Sequence, residues 1–279
     1  MINYFRLLRM KHWIKNVFIF VPPFFAGALF SLSNLPVAIY AFVSFSLCAS
    51  AIYVFNDIAD ANNDKEHPIK KLRPIASGKI PSEKAFVFAF GVMAIAIVLS
   101  GYVSVKFMAV VSAYALLNIA YTYYLKHVLI ADIFSIAAGF VLRVIGGGIA
   151  FNIPVSRWLM LTTFMVSLVL GSGKRLAESI ILDKDVEKHR KVLTNNGIST
   201  LREILLISSS ISLLGYSLYC LEQNSDLIYT VPFVAYGLFR YLHAVKFGLG
   251  DPTEAVINDK SIAITVIAWL VILVYIKYF

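Results

Sequence analysis

The chain has 279 residues, of which 59% are hydrophobic and only 15% charged, with a mean hydropathy of +0.77. Soluble globular chains are about 45–50% apolar and about 25% charged, so this composition excludes an ordinary soluble domain and implies a polytopic membrane protein. The net charge of +9 would suggest nucleic acid in a soluble protein, but basic residues flank membrane spans to set topology, and no nucleic-acid partner is expected.

The N-terminus carries Arg6, Arg9, Lys11 and Lys15 ahead of an apolar run. This outline is superficially that of a signal peptide; it is read as an uncleaved first span, because cleavage would remove a basic segment that bears on the site. Nine apolar segments follow in order, at residues 13–30, 36–56, 82–100, 107–123, 130–151, 155–173, 203–221, 227–245 and 261–278. Period-2 alternation is lacking, which argues against a β-barrel and for an all-α bundle of nine transmembrane helices in a single domain, 1–279. Cys48 and Cys220 lie within apolar runs and give neither a disulfide framework nor a metal-ligand spacing.

Charge sets the expected orientation. Besides the N-terminal tail, basic residues gather at Lys65, Lys70, Lys71, Arg73, Lys79 and Lys84, at Lys126, at Lys174, Arg175, Lys184, Lys188, Arg190, Lys191 and Arg202, and at Lys246 and Lys260. The opposite side is left with Lys106, Arg157 and Lys277. The positive-inside rule then places the N-terminus in the cytoplasm and the C-terminus across the inner (plasma) membrane. The two long connections, 57–81 and 174–202, both fall on the cytoplasmic face and are expected to cap a site there.

The first of these begins with Asn56-Asp57-Ile58-Ala59-Asp60-Ala61-Asn62-Asn63-Asp64. On a helix, Asn56, Asp57, Asp60 and Asp64 fall within about 100° of arc, on one face. Three carboxylates on one face repel each other unless cations offset them. The cluster either caps a helix end or holds a hard cation such as Mg²⁺, commonly bound by a few carboxylates plus substrate phosphates. The following stretch, His67-Pro68-Ile69-Lys70-Lys71-Leu72-Arg73-Pro74-Ile75-Ala76-Ser77-Gly78, combines cations with turn residues. It suits either anionic lipid or a phosphate site, with Arg73 as a planar fork and Lys70 and Lys71 as point charges.

Further along, Tyr121, Tyr124, Lys126 and His127 form either an interfacial belt or donors at a cavity mouth. Asp132 and Arg143 lie eleven residues apart, only about 20° off one face of the fifth segment. An intramembrane Arg either pairs structurally or lines a substrate cavity. Gly171-Ser172-Gly173-Lys174-Arg175 lacks GxxxxGK[ST] and a preceding strand, so it is not a P-loop, although Lys174 and Arg175 can still meet an anion. Lys11-His12-Trp13-Ile14-Lys15-Asn16 reads alone as an interfacial anchor.

Together these residues resemble the UbiA superfamily of intramembrane prenyltransferases, whose N-D-x-x-D-x-x-x-D motif is matched at every fixed position by Asn56, Asp57, Asp60 and Asp64. Arg73-Pro74 and Ser77-Gly78 match the family's following loop. Within the family, K-H-W-I-K-N, L-K-H-V before A-A-G-F-V-L-R, and G-K-R-x-x-E are similar to the decaprenyl-phosphate phosphoribosyltransferase branch. The second D-x-x-x-D motif of typical aromatic prenyltransferases is broken, since Ile136 follows Asp132 at the next fixed position.

The resemblance implies Mg²⁺ held by Asn56, Asp57, Asp60 and Asp64 on the diphosphate of phosphoribosyl diphosphate. It gives Lys70, Lys71 and Arg73 the donor's phosphates. Lys15, Tyr121, Lys126, Asp132, Arg143, Lys174 and Arg175 become candidates for the rest of the substrate site, where polyprenyl phosphate enters from membrane lipid. A prenyl-diphosphate-dependent aromatic prenyltransferase is the alternative enzyme, and a transporter the alternative of another class.

Overall fold

The computed structural model describes residues 2–66, 69–182, 195–223 and 225–279, and among these all regular structure is helical. In chain order the α-helices are α1 (Ile2–Leu7), α2 (Val21–Phe25), α3 (Leu35–Ala59), α4 (Ala61–Glu66), α5 (Ser82–Val103) and α6 (Val105–Tyr123). They continue with α7 (Leu129–Ala150), α8 (Arg157–Leu182), α9 (Asn195–Gln223), α10 (Val231–Val245), α11 (Pro252–Asn258) and α12 (Lys260–Tyr278). Seven of these helical segments are long and apolar enough to cross a membrane. The protein is thus an all-α, multi-pass membrane protein.

The nine segments expected from the sequence do not become nine long α-helices among the described residues. The first begins as a 3-10 helix, Met10–Phe20, and passes into the short α2 where Pro22 and Pro23 start a new helix. At about 2.0 Å of rise per 3-10 residue, this stretch with α2 still extends roughly 30 Å. The eighth segment likewise opens as a 3-10 turn, Ser225–Thr230, before the fifteen-residue α10. Apolar content alone does not distinguish the two helix types.

The chain divides into two compact units. The first comprises Met1–Lys126 and Leu142–Pro154. Here α3 packs along α5 and α6. Its buried side is built of small residues, Ala41, Ser44, Cys48, Ala49 and Ala51, which let neighbouring backbones approach. Phe45 and Phe107 fill the space beside them, with rings edge to face at 6.1 Å. The 3-10 helix lies on α3, and its side chains recur every three residues because i and i+3 eclipse. Asn16 and Ile19 are fully buried and Trp13 partly so; Lys11, Ile14 and Val17 are exposed; Arg9, Lys15 and Phe18 are intermediate, with His12 exposed in the same file. A Cβ at Gly147 would fall on the carbonyl oxygen of Ile19, so glycine alone allows this approach.

The second unit comprises His127–Val141 and Val155–Phe279. In it α8 packs along α9, and α10 along α12. Its core gathers Ile133, Leu168, Val169, Leu201 and Leu205, with Tyr241 hydrogen-bonded to the Gly250 carbonyl at 2.7 Å.

Candidate active site

The carboxylate motif sits where α3 ends. Asp60 leaves helical geometry at φ −92°, ψ 1°, yet its N–H bonds to Asn56 O and its carbonyl accepts from Asp64 N–H. The path stays nearly helical, so the acidic side chains remain on neighbouring faces. Asp57 and Asp64 are buried, at 2% and 4% exposure, while Asp60 is a quarter exposed at its side chain.

Three cations on three other segments neutralise this cluster. Arg73 Nη1 donates to Asp57 Oδ1 at 3.0 Å and to Asp64 Oδ2 at 2.6 Å. Arg9 forms a short ion pair with Asp57 and lies over the Tyr53 ring, 5.3 Å from its centroid. Lys126 Nζ donates to Asp60 Oδ1 at 2.6 Å, and Asn56 Nδ2 donates to Asp60 Oδ2 at 3.1 Å. Removing such carboxylates from water is costly, and these cations and hydrogen bonds offset part of that cost.

Local chemistry aims each cation. Arg73 is extended at the start of a closed turn in which Ser77 N–H bonds to Arg73 O and Ile80 N–H to Pro74 O. Gly78 takes φ +74°, a left-handed conformation that a side chain would disfavour. Ile75 and Ile80 anchor the turn in a core with Leu7 and Val54. Arg9 is itself left-handed, at φ 47°, between α1 and the 3-10 helix. Lys126 sits on the 3-10 turn Leu125–His127 after α6.

Of the residues expected from the sequence, Asn56, Asp57, Asp60, Asp64, Arg73 and Lys126 therefore converge. Lys70 and Lys71 lie exposed on the 3-10 turn before Arg73, and Tyr121 lies half-buried on α6. His67 and Pro68 lie outside the described residues. Arg143 is buried elsewhere in the same unit: Nε donates to Asn16 Oδ1 and Nη2 to Tyr114 Oη, both at 2.8 Å, and its guanidinium lies 4.6 Å from the Tyr114 ring centroid. Asn16 and Tyr114 are thus among the partners that hold it, the latter also through its aromatic face. In the sequence Arg9 is only a topology charge. The signal that could have found it is the burial of Asp57, which calls for a cation from a neighbouring segment.

The second unit holds a separate cluster. Arg175 grips Asp132 with both ends of its fork, at 2.6 and 3.0 Å, and donates to both Glu178 oxygens at 3.1 Å. Lys174 pairs with Asp251 at 2.9 Å. Both basic residues lie on the unbroken α8, so the connection drawn at 174–202 starts as helix; Lys184, Lys188, Arg190 and Lys191 lie outside the described residues.

Among the described residues no three His, Cys, Asp or Glu side chains form a ready metal cage. Asp57 and Asp64 nevertheless share one guanidinium nitrogen. Two hard carboxylates so close, already requiring positive charge between them, fit Mg²⁺, whose remaining coordination substrate phosphates and water usually complete.

A multi-pass helical chain with this motif and its basic loop is a UbiA-type protein: the chain belongs to the UbiA prenyltransferase family, whose sequence pattern matches residues 19–256. Among its relatives, decaprenyl-phosphate phosphoribosyltransferase of Corynebacterium glutamicum is 34% identical over 98% of this chain and 86% of its own. The enzyme of the same name from Mycolicibacterium smegmatis is 31% identical over 95% of this chain and 89% of its own. In fold, a UbiA homologue from Archaeoglobus fulgidus bound to DMAPP and Mg²⁺ superposes with a TM-score of 0.73 at 16% identity, covering 94% of this chain and 99% of that one.

Proposed function

We propose that the protein transfers a 5-phosphoribosyl group from phosphoribosyl diphosphate to a polyprenyl phosphate of decaprenyl type, releasing pyrophosphate. The observation that carries this reading is the near full-length similarity to decaprenyl-phosphate phosphoribosyltransferases, at 31–34% identity. The convergence of Asp57, Asp60 and Asp64 with Arg9, Arg73 and Lys126 supports it.

In the proposed step an acceptor phosphate oxygen bonds to C1 of the ribose. The C1–oxygen bond to the diphosphate breaks, and its electron pair leaves with pyrophosphate. Asp57 and Asp64, with Asp60 and Asn56 beside them, would hold Mg²⁺. When bound, Mg²⁺ supplies charge neutralisation for the departing diphosphate. Arg9, Arg73 and Lys126, which neutralise carboxylates here, are placed to turn toward phosphate oxygens; Lys70 and Lys71 add charge at the edge. Such groups stabilise charge as it develops on the leaving group, so positioning and electrostatics carry the catalysis. The acceptor phosphate is already anionic and needs no strong general base. The orientation argued from charge puts the site at the cytoplasmic face of the inner membrane, where a soluble donor reaches it.

The test is incubation of the purified protein with radiolabelled phosphoribosyl diphosphate, polyprenyl phosphate and Mg²⁺. Labelled lipid is the expected product. A prenylated aromatic formed from prenyl diphosphate, without labelled lipid, would replace this reading by the aromatic prenyltransferase alternative.

A further inference from the structure

The 3-10 helix Met10–Phe20 has three distinct files, and one has no part in the carboxylate cluster beyond its first residue. The buried file fixes the helix. Trp13 Nε1 donates to Ser50 Oγ at 3.0 Å, Asn16 Nδ2 to Ser46 Oγ at 2.9 Å, and Ile19 rests on Gly147. The partners on α3 run in reverse order to the helix: Arg9 at Asp57, His12 at Tyr53, Trp13 at Ser50 and Asn16 at Ser46. The helix therefore descends antiparallel along one stripe of α3, away from the carboxylates.

The second file is Arg9, His12, Lys15. Arg9 lies over the Tyr53 ring, and the His12 ring lies 5.4 Å from it, so both side chains neighbour one ring. One 3-10 turn, about 6 Å, separates each member from the next. The third file begins at Lys11 and continues with Ile14 and Val17, which are apolar and exposed at 60% and 44%. Cations and an exposed apolar strip thus run side by side on a rigidly held helix that begins at the carboxylate site.

We propose that this helix binds the lipid acceptor, with His12 and Lys15 taking its phosphate and Ile14 and Val17 meeting its isoprenoid chain. The inference rests on the phosphoribosyl-transfer reading for the identity of the lipid. A phosphate monoester on a long apolar chain needs both a cationic and an apolar surface, and these two files supply them together. A nucleophile in near-attack geometry stands about 3–3.5 Å from the carbon it attacks. The acceptor phosphate must then lie within roughly one helical turn of the donor's diphosphate, which is where His12 stands relative to Arg9. His12 donates an N–H whether neutral or charged.

The test is binding to the purified full chain in detergent, measured calorimetrically for a polyprenyl phosphate and, separately, for phosphoribosyl diphosphate with Mg²⁺. His12→Ala combined with Lys15→Ala is expected to weaken polyprenyl phosphate binding at least tenfold and leave donor binding within twofold. His12→Lys with Lys15→Arg is expected to restore it. Ile14→Ser with Val17→Ser should weaken the long-chain phosphate while inorganic phosphate binds as in wild type, separating lipid from free-phosphate recognition. If the alanine pair binds polyprenyl phosphate as wild type does, or loses the donor instead, the proposal is overturned. If the alanine pair fails to fold, the restoring pair against His12→Gln alone decides it by the same ratio. Wild-type protein that binds the lipid phosphate but transfers no phosphoribosyl group would instead overturn the functional reading and leave this site standing.

Discussion

The two charged clusters differ in how tightly they are closed. In the second unit, Arg175 and Asp132 meet through a bidentate fork between two regular helices, with side chains only 7% and 3% exposed. In the first unit, three carboxylates share three cations drawn from irregular backbone, and Arg9, Arg73 and Lys126 keep 20%, 25% and 15% of their side-chain surface. A closed bidentate pair holds helices in place, and Asp132 without its fork would be a buried carboxylate deprived of that counter-charge. A partly open network in which Asp57 has two cations can exchange one of them for ligand atoms with a smaller penalty. The proposed chemistry uses the second kind of arrangement.

The sharpest way to break this contrast is to cut one partner in each cluster. Arg175→Met leaves Asp132 buried without its fork and is expected to cost about 3–5 kcal/mol, read by thermal melting in detergent. Adding Asp132→Leu should recover most of that loss, since a matched apolar pair removes the stranded charge. Arg9→Met should cost clearly less than Arg175→Met, because Arg73 still faces Asp57; an equal loss would erase the distinction between the clusters.

A smaller effect tests the helix that carries Arg9. Gly147→Ala places a methyl group against the Ile19 carbonyl and is expected to cost about 1–3 kcal/mol by melting, as overpacking does. It should also weaken donor binding by displacing Arg9; unchanged melting would show that the 3-10 helix is not held there. Lys126→Met removes a part-exposed partner of Asp60 and should cost no more than about 1 kcal/mol of stability. It should raise the donor KM more than it lowers kcat; an effect on kcat alone would place Lys126 on a different step.

The smallest effect lies outside both clusters, at the start of α12. Desolvation opposes the charge on Asp259, but the backbone N–H groups of Ile262 and Ser261 and the Arg240 guanidinium outweigh it and hold the carboxyl below its ordinary range. Because the folded value is depressed, the cap stabilises fully above the ordinary carboxylate pKa of about 3.9 and fades as pH falls through the lower folded value. A melting series in acid should therefore lose part of its slope in Asp259→Asn, and an identical slope would remove this cap from the account.

How much was readable from the sequence follows the same division. Asn56 to Asp64 was legible because a fixed spacing of carboxylates on a helix is itself a geometric statement. Arg73 and Lys126 were legible as cations near that motif, but not their pairing with particular aspartates, which depends on the turn closed by Ile75, Gly78 and Ile80. Arg9 and the 3-10 helix were not legible: a lone arginine before an apolar run reads as a topology signal, and hydrophobicity does not report a three-residue repeat. Trp13, Asn16 and Ile19 carried that repeat, but only the Ser50, Ser46 and Gly147 partners give it meaning. For Arg143 the spacing to Asp132 was legible, but not Asn16 and Tyr114, which folding brings from distant segments.

The central claim is that the Asp57–Asp60–Asp64 cluster anchors the phosphoribosyl donor. Its most direct test is Mg²⁺-dependent transfer by Asp60→Asn, the least buried of the three, alongside its melting curve. The account predicts a fall of about 10²–10³-fold in transfer with near-wild-type melting, the scale of losing one group that stabilises a transition state. Full turnover by a folded Asp60→Asn protein would contradict it.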